Sequence, residues 1–121
     1  IIVMDNSFHG RTMATLSASG SRKVQAGFEP LLSGFVRAPY NDIESIQFIA
    51  ENNQKVVAIL VEPVQGEGGI IVPDSGYIEA LRHICNENNW LLMLDEVQSG
   101  IARSGQMFAF QHTNITPDVL T

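Results

Sequence analysis

Two observations predict an α/β fold with a mostly parallel sheet flanked by helices for these 121 residues. Runs such as "IIVM", "VVAILVEP" and "WLLMLD" are apolar on both alternations, as in strands covered on both faces. Between them lie segments whose apolar residues recur at helical spacing. Strands alternating with helices form parallel sheets through right-handed crossovers.

Residues 1–4 are a short β-branched strand broken by Asp5, Asn6 and Ser7. "GRTMATLSASG" has helical spacing at Met13 and Leu16 and stops at Gly20, and the glycine-rich stretch 20–34 reads as an irregular excursion. A strand at 35–38 ends at Pro39. Asn41 is the expected cap of a helix carrying Ile43, Ile46, Ile49 and Ala50 on one face, with Glu44 completing a partial capping box. The strongest strand signal covers 56–63. Ser75 is the expected cap of the next helix, in which Tyr77, Ile78, Leu81, Ile84 and Cys85 form an inward stripe. A buried strand follows, then a turn at "GIARSG", a short helix at "MFAFQH", and a final strand after Pro117.

The formal charge is −6 and no basic run exists, which argues against nucleic-acid or anionic-membrane partners. Cys85 is the only cysteine, so no internal disulfide is expected, and a reducing, cytoplasmic setting fits. The three histidines, His9, His83 and His112, are too scattered for a metal site. No apolar run approaches the ~18 residues of a membrane span, and no signal peptide is visible. The chain opens inside a strand and stops as another begins, which predicts a segment of a longer protein with sheet edges that its neighbours would cover.

In open parallel sheets, ligands bind beyond the carboxyl ends of the strands. Those ends carry Asp5 to Arg11, Glu62 to Gly69, and Asp95 to Gln98. Glu62 and Asp95 terminate apolar strands without a break, and buried carboxylates need partners. Each residue also has a plain structural reading. Asp95 can cap the following turn, and "QGEGG" can be a flexible loop whose glycines serve positive φ. Phe8 can be packing, His9 a hydrogen-bonded structural histidine, and Arg11 surface.

"NSFHGRT", "VEPVQGEGG", "LDEVQSG" and "ITPDVLT" occur here in the order and approximate spacing of the class III aminotransferases of the ornithine/acetylornithine type, and the chain resembles that family over essentially its whole length. The resemblance implies fold type I, with residues 1–121 as the central segment of the large domain that binds pyridoxal 5′-phosphate. "FHGRTMATLSASG" leans towards the acetylornithine branch. There the δ-amino group of N-acetylornithine passes to 2-oxoglutarate in arginine biosynthesis, usually in a homodimer. Ornithine, succinylornithine and 4-aminobutyrate are alternative donors. Outside the enzymes, a non-catalytic α/β module binding a small ligand remains an alternative.

By the resemblance, Asp95 pairs with the cofactor's pyridine nitrogen. At an effective dielectric of about 20 and ~4 Å such a pair is worth roughly 4 kcal/mol, or about three pKa units before desolvation. Phe8 and Val97 would stack on opposite faces of the ring, Val97 sharing Asp95's side only if the backbone stays extended. Gln98 would reach the 3′-oxygen, His9 would support Asp95, and Glu62 would orient its neighbours. Arg11 would take a substrate carboxylate. Glu67 would help to distinguish amino-acid from oxo-acid substrates. The family's Schiff-base lysine is expected just beyond Thr121, with neither Lys23 nor Lys55 replacing it, so residues 1–121 by themselves are expected to be inactive and to bind cofactor weakly at best. Family members commonly have glycine where Ala102 stands. Alanine there costs stability if that turn needs positive φ.

Overall fold

The computed structural model describes all of residues 1–121. Five strands form one parallel sheet in the order β2-β1-β3-β4-β5: β1 Ile2–Met4, β2 Val36–Ala38, β3 Ala58–Val61, β4 Leu91–Leu94 and β5 Val119–Leu120. Four α-helices connect them: α1 Met13–Ala18, α2 Arg22–Gln25, α3 Ile43–Asn52 and α4 Tyr77–Asn88. A 3₁₀ turn at Ala109–His112 precedes β5. No helix is long and apolar enough to cross a membrane.

The strands read as apolar on both alternations, and the sheet shows why. Ile59, Val61, Leu92 and Leu94 are fully buried on one face, in a cluster with Ile2, Met4, Ile46, Leu81 and Ile84. The helical stripes of α3 and α4 supply the far side of that cluster. Alternation sends Val3 to the opposite face, where it is buried outside the cluster, as are Leu16 and Ala18 of α1. Leu60 and Met93 on that face are half-buried. Each fully buried aliphatic side chain contributes about 1.5–3 kcal/mol.

Several local expectations are corrected. Asn41 does not cap α3: it is left-handed (φ 65°), and Asp42 is the cap, its Oδ1 accepting from the Ser45 N–H at 3.0 Å and its Oδ2 from the Ser45 hydroxyl at 2.6 Å. Asn41 instead clamps another loop, donating to Asp74 Oδ2 at 2.8 Å and accepting from the Asp74 N–H at 2.9 Å. Gly76, not Ser75, precedes α4, with φ 88°. The excursion at 20–34 contains α2, whose Gln25 is buried and donates to the Leu16 and Ser19 carbonyls at 3.1 and 2.7 Å. The strand expected over 56–63 is only Ala58–Val61, since Val57 is exposed and Glu62 already faces the strand-end loops.

β5 is held at the edge by more than its ladder. Asp118 Oδ2 accepts from the Leu92 N–H at 2.7 Å and from Arg82 Nη1 at 2.6 Å, tying α4, β4 and β5 together. Glu96 makes a second tie beyond β4. Its carboxylate is buried and accepts from the Ala109 and Phe110 N–H groups at 2.6 and 2.8 Å and from the Ser99 hydroxyl at 3.0 Å.

Candidate functional site

Because β1, β3 and β4 are adjacent and parallel, their carboxyl ends lie along one sheet edge. Backbone pairing continues one residue past β4, the Asp95 N–H donating to the Val61 carbonyl at 2.9 Å, so the Asp95 backbone is as fixed as the strand. Its side chain is 10% exposed. Oδ2 lies 2.7 Å from His9 Nδ1, and Oδ1 accepts from the Val97 N–H at 3.1 Å. Burial raises the Asp95 pKa, but the hydrogen bonds from His9 and Val97 outweigh it, and the carboxyl is held below the usual carboxylate range. An ionised carboxylate only accepts, so His9 Nδ1 carries the proton between them. His9 Nε2 is buried with no hydrogen-bond partner.

The segment after β1 is shaped to deliver His9. The His9 N–H donates to the Ser19 hydroxyl at 2.9 Å. Gly10 then turns the chain at φ 125°, where an added Cβ would lie 2.8 Å from Thr15 Oγ1. The Phe8 N–H donates to Glu62 Oε2 at 3.1 Å. Arg11 lies over the Phe8 ring, its Cζ 5.6 Å from the centroid, so one face of that ring carries the guanidinium. Glu62 is 3% exposed, and burial pushes its carboxyl up to about 7 against the hydrogen bond from Phe8.

The "QGEGG" segment is a pinned hairpin. Gln65 and Ile71 exchange backbone hydrogen bonds at 3.0 and 2.8 Å, and the Gln65 side-chain amide donates to the Asp5 carbonyl at 2.8 Å. Its glycines serve mainly close approach. A Cβ on Gly68 would meet the Asn6 carbonyl at 2.8 Å, and one on Gly66 would collide with the Gln98 amide. Gln98 is thereby packed against this hairpin. Within the hairpin Gly69 (φ 121°) and Ile70 (φ 58°) have positive φ.

One placement differs from expectation. The backbone after Asp95 does not stay extended: it turns at once, with the Gly100 N–H donating to the Glu96 carbonyl at 2.8 Å. The Val97 side chain is therefore 79% exposed, and only its amide reaches Asp95. Lys23, in the excursion, stands beyond the ends of β1 and β3. It lines one cavity of about 600 Å³ with Arg11 and Glu67, whereas Lys55 precedes β3 at the opposite end of the sheet. Sequence reasoning assigned no role to Glu96, Gln65 or Lys23. Two of the three partners of Glu96 lie 13 and 14 residues away, beyond any local pattern. No group of three or more His, Cys, Asp or Glu side chains is placed to hold a metal.

The residues present fit pyridoxal 5′-phosphate. Asp95 is ionised and uses two of its roughly four acceptor positions within the protein, leaving capacity for one more charged donor. Phe8 is part-buried in the loop that delivers His9.

A parallel α/β sheet with an ionised aspartate and a buried glutamate at adjacent strand ends is the frame of a ligand-binding α/β enzyme domain. The Aminotransferase class-III family matches residues 1–121 in full, and the chain belongs to that family. It is 61% identical over all 121 residues to an acetylornithine aminotransferase of Nitrosomonas europaea, covering 31% of that protein, so it spans about a third of the length of the curated relatives it matches. Among solved structures, the ornithine aminotransferase of Toxoplasma gondii superposes on 98% of the chain with a TM-score of 0.93 at 35% identity, the match covering 28% of that enzyme. That enzyme, crystallised with oxidized glutathione, has partial occupancy of PLP at its active site. An (S)-enantioselective omega-transaminase of Thermomicrobium roseum matches 98% of the chain and 31% of its own, with a TM-score of 0.91 at 28% identity.

Proposed function

We propose that the full-length protein is a pyridoxal-phosphate-dependent aminotransferase that moves the δ-amino group of N-acetylornithine to 2-oxoglutarate, and that residues 1–121 form the central segment of its large domain. The observation that carries this reading is Asp95, held ionised at the end of an interior strand by His9 and the Val97 amide. The 61% identity with an acetylornithine aminotransferase favours that donor over ornithine, succinylornithine or 4-aminobutyrate.

The cofactor, when bound, supplies an electron sink for the electrons left at the substrate carbon after proton loss. The protein's own residues do the rest. Asp95 holds a proton on the pyridine nitrogen, and its rigid strand end requires little reorganisation as charge develops. His9 orients Asp95. Phe8 would cover one face of the ring, while Val97, its side chain left exposed by the turn, contributes its amide to Asp95. Gln98, packed against Gly66, would donate to the 3′-oxygen. Arg11 binds a substrate carboxylate with its planar fork, and Glu67, lining the same cavity, discriminates amino acid from oxo acid. Glu62 holds the Phe8 backbone in place. The Schiff-base lysine belongs outside residues 1–121. A cytoplasmic homodimer is the assembly this reading carries.

The test is Asp95→Asn in the full-length protein. Loss of one preorganised charge at the reacting group predicts a fall in kcat of about 10²- to 10³-fold with the fold intact. Undiminished turnover of N-acetylornithine by that variant would remove Asp95 from the chemistry and overturn the reading. Parallel assays with the other three donors decide the substrate.

A further inference from the structure

The cavity beyond the ends of β1 and β3 has a charge unlike the rest of the chain. Its lining includes Asn6, Arg11, Ser21, Lys23, Phe28 and Glu67. The chain carries thirteen acidic and seven basic residues, yet this one cavity takes two of the basic residues and a single acidic one. Within residues 1–121, neither Arg11 nor Lys23 nor Glu67 makes an ion pair or a side-chain hydrogen bond. Two unpaired cations lining one concavity raise the local positive potential and attract an anion.

We propose that Lys23 and Arg11 together form a carboxylate cradle, with Lys23 as a further substrate-binding residue. The ligand class is a small aliphatic carboxylate. Its carboxylate end takes the two cations, while its carbon chain lies against the apolar wall that includes Phe28. The inference rests on the reading of Arg11 as the residue that meets a substrate carboxylate, and deepens it. Arg11 supplies the directional fork and Lys23 a mobile point charge. The pinned excursion explains how Lys23 reaches the site. Gln25, buried two residues on, is hydrogen-bonded to the Leu16 and Ser19 carbonyls, which fixes α2 against the segment that follows Arg11. Gly20, just before α2, packs so closely on β1's exit that a Cβ would lie 2.6 Å from the Met4 carbonyl.

The experiment uses the full-length protein with Lys23→Gln, Lys23→Arg and Arg11→Gln. It measures KM for N-acetylornithine, kcat, and the inhibition constant of glutarate, at low and high ionic strength. A partly solvated cationic contact predicts that Lys23→Gln raises KM and the glutarate constant about 3- to 5-fold at low salt, with the effect falling on KM rather than kcat. Lys23→Arg restores both, and the difference shrinks at ~1 M salt, where screening acts within about 3 Å. If Lys23→Gln changes neither constant while Arg11→Gln raises both, the role of Lys23 is overturned and that of Arg11 stands. If neither variant changes them, the Arg11 reading itself fails. A loss of kcat or of the cofactor's visible absorbance in Lys23→Gln would place Lys23 at the cofactor instead, and overturn the cradle.

Discussion

Glu62 and Asp95 stand one residue past adjacent strands, yet burial and hydrogen bonding drive them in opposite directions. Glu62, buried and accepting one backbone N–H, is pushed up from 4.5 to about 7. A carboxyl whose folded pKa is raised favours the folded state only while protonated. Stability therefore falls as pH rises from about 4.5 through about 7 and is constant in this respect above that, by up to roughly 3 kcal/mol. Glu62→Gln keeps an acceptor for the Phe8 N–H and removes the charge. Denaturation of the full-length variant should show it more stable than wild type at pH 8 by about 1–3 kcal/mol, with the gap closing towards pH 4.5. An equal gap at both pH values would mean that folding leaves the Glu62 pKa unshifted. Asp95 has the reverse sign: its depressed pKa contributes stability above the usual carboxylate range, lost as pH falls through the folded value. The sequence made both acids visible as polar ends of apolar runs. Their opposite shifts were not legible, because they depend on burial and on the donors that a loop 54 or 86 residues away presents.

At the scale of elements, periodicity located the strands and the long helices, and side-chain competition decided their ends. Asp42 rather than Asn41 caps α3 because it reaches the Ser45 N–H, while Asn41 is drawn off by Asp74. The "GIARSG" turn carries a measurable departure. Ile101 and Ala102 both have positive φ, at 52° and 63°. A side chain in the left-handed region costs roughly 1–2 kcal/mol where glycine has no such penalty. Ala102→Gly is expected to stabilise the full-length protein by ~0.5–1 kcal/mol, part of the strain relief being offset by the entropy glycine loses on folding. A thermal or denaturant melt that shows destabilisation would mean the methyl group makes compensating contacts. Glu96 shows the limit of local reading at this scale. The buried carboxylate serves as the N-terminal cap of the 3₁₀ turn at Ala109–His112, a function no local pattern around Glu96 encodes.

For the whole molecule, one face of the sheet is sealed by α3 and α4 and stability concentrates there. Leu91 and Leu92 are neighbours on β4, but Leu92 is fully buried in the cluster and Leu91 is half exposed. Leu92→Ala should cost roughly 2–5 kcal/mol and Leu91→Ala under about 1 kcal/mol. Comparable losses in a urea titration would show that Leu91's face is covered in the full-length protein. By itself the sequence determined the alternation of strands and helices, the parallel class of the sheet and the carboxylates at its strand ends. These follow from side-chain period and chain direction, which are local properties. Only the tertiary structure decided the order β2-β1-β3-β4-β5, the pairing of His9 with Asp95, the turn that exposes Val97, and the meeting of Arg11 with Lys23 in one cavity. Those depend on packing between segments far apart in the chain, where burial and hydrogen-bond satisfaction, rather than residue pattern, select the partner.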